Sequence, residues 1–130
     1  MTERITLEVP ASLSALPTVR LVLGGLGARL DLSLDDVDDL FLATDRLLEA
    51  ALGAEDLTDF RLVCLVDESS LRITAGAFRS QRLRDQVADT PGGCIDLCLL
   101  LRRLADEVVV EEDGDGFRVA IVKHRTKPAP

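Results

Sequence analysis

Two carboxylates four residues apart, Asp45 and Glu49, are the side chains of this 130-residue chain best spaced to do chemistry. On a helix they share one face and repel each other unless a cation sits between them. The pair therefore reads either as an ordinary solvated acidic surface or as a small metal-holding site, and spacing alone leaves both open. The three cysteines offer less. Cys94 and Cys98 are also four apart, but no second Cys pair and no His lies near them, so the spacing does not make a zinc site. Cys64 lies within an apolar run, residues 62–66, and reads as a buried reduced thiol, which suits a reducing cytoplasm.

The charge around those carboxylates is lopsided. Residues 31–59 carry Asp31, Asp35, Asp36, Asp38, Asp39, Asp45, Glu49, Glu55, Asp56 and Asp59 against Arg46 alone. Basic residues gather instead at Arg79, Arg82 and Arg84, and again at Lys123, Arg125 and Lys127. Most such runs only solvate a surface, yet an acidic helix face can also dock a basic protein. The net charge of −8 repels phosphate backbones, and the chain has no Trp or Tyr on which bases could stack. Direct nucleic-acid binding is thus disfavoured. No run approaches the ~20 apolar residues of a membrane span, and the first ten residues form no apolar block, so neither a membrane protein nor a signal peptide is expected.

The elements that must hold these groups follow from periodicity. Ile5, Leu7 and Val9 alternate with polar residues, which predicts a half-buried strand closed by Pro10. Ser12 or Ser14 can cap a helix with Pro17 in its first turn, along which Leu16, Val19, Leu23, Leu26 and Leu30 recur. Gly24, Gly25 and Gly27 cost that helix about 1 kcal/mol each relative to Ala, so a sheet or a second copy of the same helix is expected to pack closely there. Ser33 and Asp36 resemble a capping box for a second helix. Its buried stripe is Val37, Leu40, Phe41, Thr44, Leu47, Leu48 and Ala51, with Asp38, Leu42, Asp45 and Glu49 opposite, and Gly53 is its expected C-terminal stop. Residues 60–66 and 71–74 form a hairpin about Asp67-Glu68-Ser69-Ser70, and residues 75–90 read as a loop. A third helix is expected over residues 94–105, then strands over 108–111 and 117–122, then a frayed basic tail from Lys123. The result is one α+β domain over residues 1–127 with a disordered end at 128–130. Its architecture is a two-layer sandwich of a mixed or antiparallel sheet with three helices on one face.

At this point a family resemblance enters. Val9-Pro10-Ala11, then Val19-Arg20-Leu21-Val22-Leu23, then the acidic stretch from Leu34 to Asp45 are similar to the opening of the anti-sigma-factor serine kinases. These belong to the histidine-kinase-like ATPase superfamily and have the Bergerat ATP-binding fold. The resemblance spans nearly the whole chain and is specific mainly over residues 5–52. It implies a cytoplasmic, homodimeric switch protein that sequesters a sigma factor and phosphorylates an anti-sigma-factor antagonist. Both partners would meet a surface that includes the first helix, with Arg20 as the matching contact residue.

The same resemblance assigns candidate roles in a site for ATP and Mg²⁺. Asp45 falls where the family has the general base, as Glu, with a reach one methylene longer. Glu49 falls where the family has a magnesium-binding Asn, and it adds negative charge beside a triphosphate. The adenine-reading Asp has no counterpart in Ile73-Thr74-Ala75-Gly76-Ala77-Phe78, where only Gly76 persists. Gly92 and Gly93 match a glycine-rich stretch that opens the last helix and would receive phosphate, although Asp96 close behind disfavours an anion. Arg79, Arg82 and Arg84 lie where the family has a mobile lid and could meet phosphates. These departures imply an eroded nucleotide site in an anti-sigma-like binding protein. The alternatives are an active serine kinase using Asp45 and Glu49, and a domain of the same shape with no sigma partner.

Overall fold

The computed structural model describes residues 2–88 and 95–125. Five strands form one antiparallel sheet: β1 (Glu3–Pro10), β2 (Asp59–Val66), β3 (Ser70–Phe78), β4 (Glu107–Asp113) and β5 (Gly116–His124), in the order β1-β2-β3-β5-β4. Four helices are described: α1 (Leu16–Arg29), α2 (Leu34–Ala54), α3 (Gln81–Val87) and α4 (Ile95–Leu104). This is the α+β sandwich expected, with every strand pairing antiparallel and one helix more than expected.

Alternation sets the inward face. Ile5, Leu7 and Val9 pair with Cys64, Leu62 and Phe60, and beyond them Cys64 pairs with Ile73 and Ile73 with Ile121. Because cross-strand partners share a face, this register makes one continuous apolar layer under the helices. One end of it is aromatic: Phe60, Phe78 and Phe117 are buried, with ring centroids 6.4 and 5.7 Å apart in sequence order. Cys64 is buried in that layer, and burial pushes its thiol up to about 11, so it stays protonated and inert.

Local signals explain most boundaries. Ser33 caps α2, its Oγ accepting from the Asp36 amide at 3.1 Å, and Asp35 and Asp36 favour the first turn through the helix dipole. In the β2–β3 turn Asp67 Oδ1 accepts from the Ser69 and Ser70 amides at 2.8 Å, which holds its carboxyl below the usual range. Ser12 caps a short 3₁₀ turn, Leu13–Ala15, and α1 then starts at Leu16 with no side-chain cap.

Three expectations need correcting. The described part of residues 75–90 is not a loop: β3 runs on to Phe78, and α3 follows, capped by Ser80 and anchored by buried Leu83 and Val87. The Glu55 carboxylate at the end of α2 accepts from the Arg79 and Ser80 amides at 2.9 and 2.6 Å and so fixes the start of α3. Lys123 does not begin a tail. It is a buried residue of β5 on the helix side, its Nζ donating to the Leu104 carbonyl at 2.9 Å and lying 3.4 Å from carboxylate oxygens of Asp36 and Asp39. Those two acids and the carbonyl at the end of α4 compensate the cation that a sheet interior would otherwise reject. Asp45, expected on the solvent side of α2, is also buried. Residues 126–130, including the expected disordered end, lie outside the described residues. No described helix is long and apolar enough to cross a membrane.

Candidate functional site

The helices α1 and α2 run side by side, turned back on each other where Asp31 takes a left-handed conformation (φ 54) and the Leu32 amide donates to the Gly27 carbonyl at 2.9 Å. Their contact is a seam of three matched levels. At the first, Gly27 lies under Val37; a Cβ at Gly27 would sit 2.7 Å from Val37 Cγ2, closer than real atoms approach. At the second, Gly24 faces the Phe41 ring, with 3.6 Å to a Cβ built there. At the third, Arg20 forms an ion pair with Asp45 and lies 5.9 Å over the Phe41 ring centroid. Val37, Phe41 and Asp45 are spaced by four, and Gly27, Gly24 and Arg20 by three and four, so one ridge of each helix meets the other.

The close packing expected around the α1 glycines is thus real for Gly27, but it comes from the chain's own α2 and not from the sheet or a second copy of α1. A Cβ at Gly25 would meet nothing within 4 Å.

This seam decides where Asp45 goes. Its side chain is turned toward α1, one oxygen bound to Arg20 and the other, Oδ1, buried without a hydrogen-bond partner. Glu49, one turn later, stays half-exposed and pairs with Arg46 at 3.2 Å. Arg46, Glu49 and Ala50 line an open groove of about 470 Å³ whose far wall is Leu97 and Leu100 of α4. Of the two carboxylates that share a helical face by spacing, one lines this groove and one is committed to the seam.

The remaining candidates are dispersed. Gly76 belongs to β3, at an irregularity in its pairing with β5, and lines a cavity on the sheet face away from the helices. Thr74 lines the same cavity. Arg84 pairs with Glu112 and lies 5.4 Å over the Phe117 ring. Gly92 and Gly93 lie outside the described residues, as does the Asp96 side chain. Among the described residues no group of three or more His, Cys, Asp or Glu side chains could hold a metal ion. Glu49 faces the groove beside the Arg46 guanidinium.

Sequence reasoning missed the Arg20–Asp45 pair. The signal was present in the mirrored spacing of Arg20, Gly24 and Gly27 against Asp45, Phe41 and Val37.

The outward side of α1 is the other surface the seam creates. Pro17, Leu21, Gly25 and Ala28 are exposed and follow one another at three- and four-residue steps, with Leu21 77% exposed. Arg20 stands at the edge of this stripe, half-exposed in its pair with Asp45.

Comparison with known proteins bears on the fold. No protein-family profile matches the chain, and no curated protein matches it in sequence. Among solved structures it is similar to the crystal structure of the RsbU and RsbW domains of Rv1364c from Mycobacterium tuberculosis, with a TM-score of 0.69 and 17% identity. That match covers 98% of this chain and 34% of the other, so the chain spans about a third of the protein it resembles. The likeness is one of fold, an α+β sandwich shared with part of that structure.

Proposed function

We propose that this chain is a regulator of the anti-sigma-factor type that acts by holding a partner protein rather than by phosphoryl transfer. The observation that carries this reading is the uncovered stripe of α1. A helix buries its apolar side and turns polar residues outward unless something else covers it. Here the outward side is Pro17, Leu21, Gly25 and Ala28, with the Arg20 cation at its margin. Arg20 is the residue that matches the family's partner contact, and the pair with Asp45 pre-orients it, which lowers the ordering penalty on binding. The partner in this reading is a sigma factor or an anti-sigma-factor antagonist, met in the cytoplasm by a homodimer whose two copies approach through α1 and β1.

The withdrawal of Asp45 from the groove supports sequestration over catalysis, because a general base must reach the proton it removes. Glu49 favours the second reading, a serine kinase, since a groove-lining carboxylate can still hold Mg²⁺.

Calorimetric titration with Mg-ATP and binding to sigma factors and antagonists from the source organism separate the two. We expect the partner to bind, Leu21→Asp to weaken that binding at least tenfold with the fold intact, and Mg-ATP to give no saturable signal below about 1 mM. Saturable ATP binding with phosphate transfer to an antagonist would establish the kinase instead. Partner binding untouched by Leu21→Asp would remove α1 from the interface.

A further inference from the structure

One flank of α2 forms the seam with α1 and the other walls the groove beside α4, but the crest between them meets nothing. Along it stand Leu34, Asp35, Asp38 and Leu42, all exposed, with Asp31 just ahead of them in the α1–α2 turn. Leu34, Asp38 and Leu42 follow at four-residue steps and so lie along one line of the helix, with Asp35 beside it. Leu34 is 83% exposed and Leu42 37%. At about 1.5 Å of rise per residue, the two leucines stand roughly 12 Å apart along the axis.

The charge of this crest is of one sign. Residues 31–42 hold five Asp and no Lys, Arg or His. The cations that meet α2 are already taken: Arg20 is bound to Asp45, Arg46 to Glu49, and buried Lys123 to Asp36 and Asp39. Asp31, Asp35 and Asp38 make no ion pair among the described residues, and neither does Arg103, exposed on the neighbouring α4.

The helix dipole explains only part of this pattern. Asp35 and Asp36 lie in the first turn of α2, where negative charge steadies the free amides. Asp31 precedes the helix and Asp38 lies in its second turn, where that effect has fallen away. Nothing in the dipole calls for leucine at 34 or 42, and a crest that only meets water would carry polar residues there. A surface of one sign bracketed by two exposed leucines selects a cationic, partly apolar occupant and repels phosphates.

We propose that the crest of α2 docks a short basic segment of a partner protein, its lysine or arginine cations meeting Asp35 and Asp38 while apolar side chains on either side of them rest on Leu34 and Leu42. The segment reads apolar, basic, apolar over roughly 12 Å, about two helical turns. Asp31 extends the attracting field at the Leu34 end. The crest is separate from the α1 stripe, and the proposal does not rest on what binds there.

The test is fluorescence anisotropy of a labelled peptide of about twelve residues, a Lys pair flanked by Leu on each side, titrated with the full chain at low salt. Saturable binding is expected, weakened about fivefold or more by Asp35→Asn/Asp38→Asn and by Leu34→Ser/Leu42→Ser. Asp56→Asn/Asp59→Asn removes the same charge from exposed positions elsewhere and should change binding less than about twofold, as should Leu21→Asp. Asp38→Lys, beyond the first turn, tests the same contact without disturbing the dipole and should also weaken binding. The substituted side chains are exposed, so each variant should keep the wild-type circular dichroism. Equal losses in the two Asp→Asn pairs would overturn the proposal in favour of net charge alone. Binding untouched by the leucine pair would overturn it too, as would no binding by wild type up to millimolar peptide. Loss of a wild-type dimer in Asp35→Asn/Asp38→Asn, seen by sedimentation, would overturn it in favour of a second copy of this chain.

Discussion

The two flanks of α2 differ in kind although one helix supplies both. Toward α1 it presents Val37, Phe41 and Asp45, each met at its own level by Gly27, Gly24 and Arg20. Toward α4 it presents Arg46, Glu49 and Ala50 to an open groove. On the first flank each side chain is specified by a neighbour; on the second, Arg46 and Glu49 mostly answer to each other and to water. The carboxylates that the family resemblance groups together are divided between these environments. A carboxylate locked to a guanidinium in a packed seam serves geometry, and one on an open wall remains available to a ligand.

The strongest way to break this contrast is to crowd the seam. Gly27→Leu drives atoms into Val37 and should destabilise the chain by about 3 kcal/mol in urea denaturation. Gly25→Leu, one position to the open side, should stay within about 0.5 kcal/mol of wild type or gain slightly. Equal losses at both positions would mean that the seam is not where the packing is tight.

Removing the cation tests the third level. Arg20→Met keeps much of the stacking on Phe41 but strands a buried carboxylate whose other oxygen already lacks a partner. The expected loss is about 1–2 kcal/mol, below that of a fully buried pair because Arg20 is half-exposed. Asp45→Asn in the Arg20→Met background should recover part of it, and absence of any recovery would show that the penalty is not electrostatic.

The smallest effect belongs to the groove. Glu49→Gln breaks only an exposed pair with Arg46 and should change stability by less than about 0.5 kcal/mol. A loss comparable to that of Arg20→Met would erase the distinction between the two flanks.

Much of this was legible in the residues. Ile5, Leu7 and Val9 announce β1, Ser33 announces α2, and Asp67 with Ser69 and Ser70 announces the hairpin, because each signal acts over a few residues of chain. The seven-residue α3 was not legible, since two buried residues in a polar stretch carry no measurable period. Its start is fixed by Glu55, far away in sequence. Lys123 read as the start of a tail because its partners, Asp36, Asp39 and the Leu104 carbonyl, are brought to it only by folding. Of the candidate site, the residue types and the Asp45–Glu49 spacing were visible, but the direction in which each points was not.

Sequence by itself determined the class of this protein: one mixed or antiparallel sheet, an apolar face along each long helix, and an acidic second helix after a glycine-bearing first one. Periodicity and capping are local, so they survive without knowledge of neighbours. Tertiary structure alone decided that Asp45 belongs to Arg20 and that Glu49 belongs to the groove. Those outcomes depend on which surfaces meet, and a helix of 3.6 residues per turn leaves a residue at the margin of its stripe free to join either side until a partner claims it.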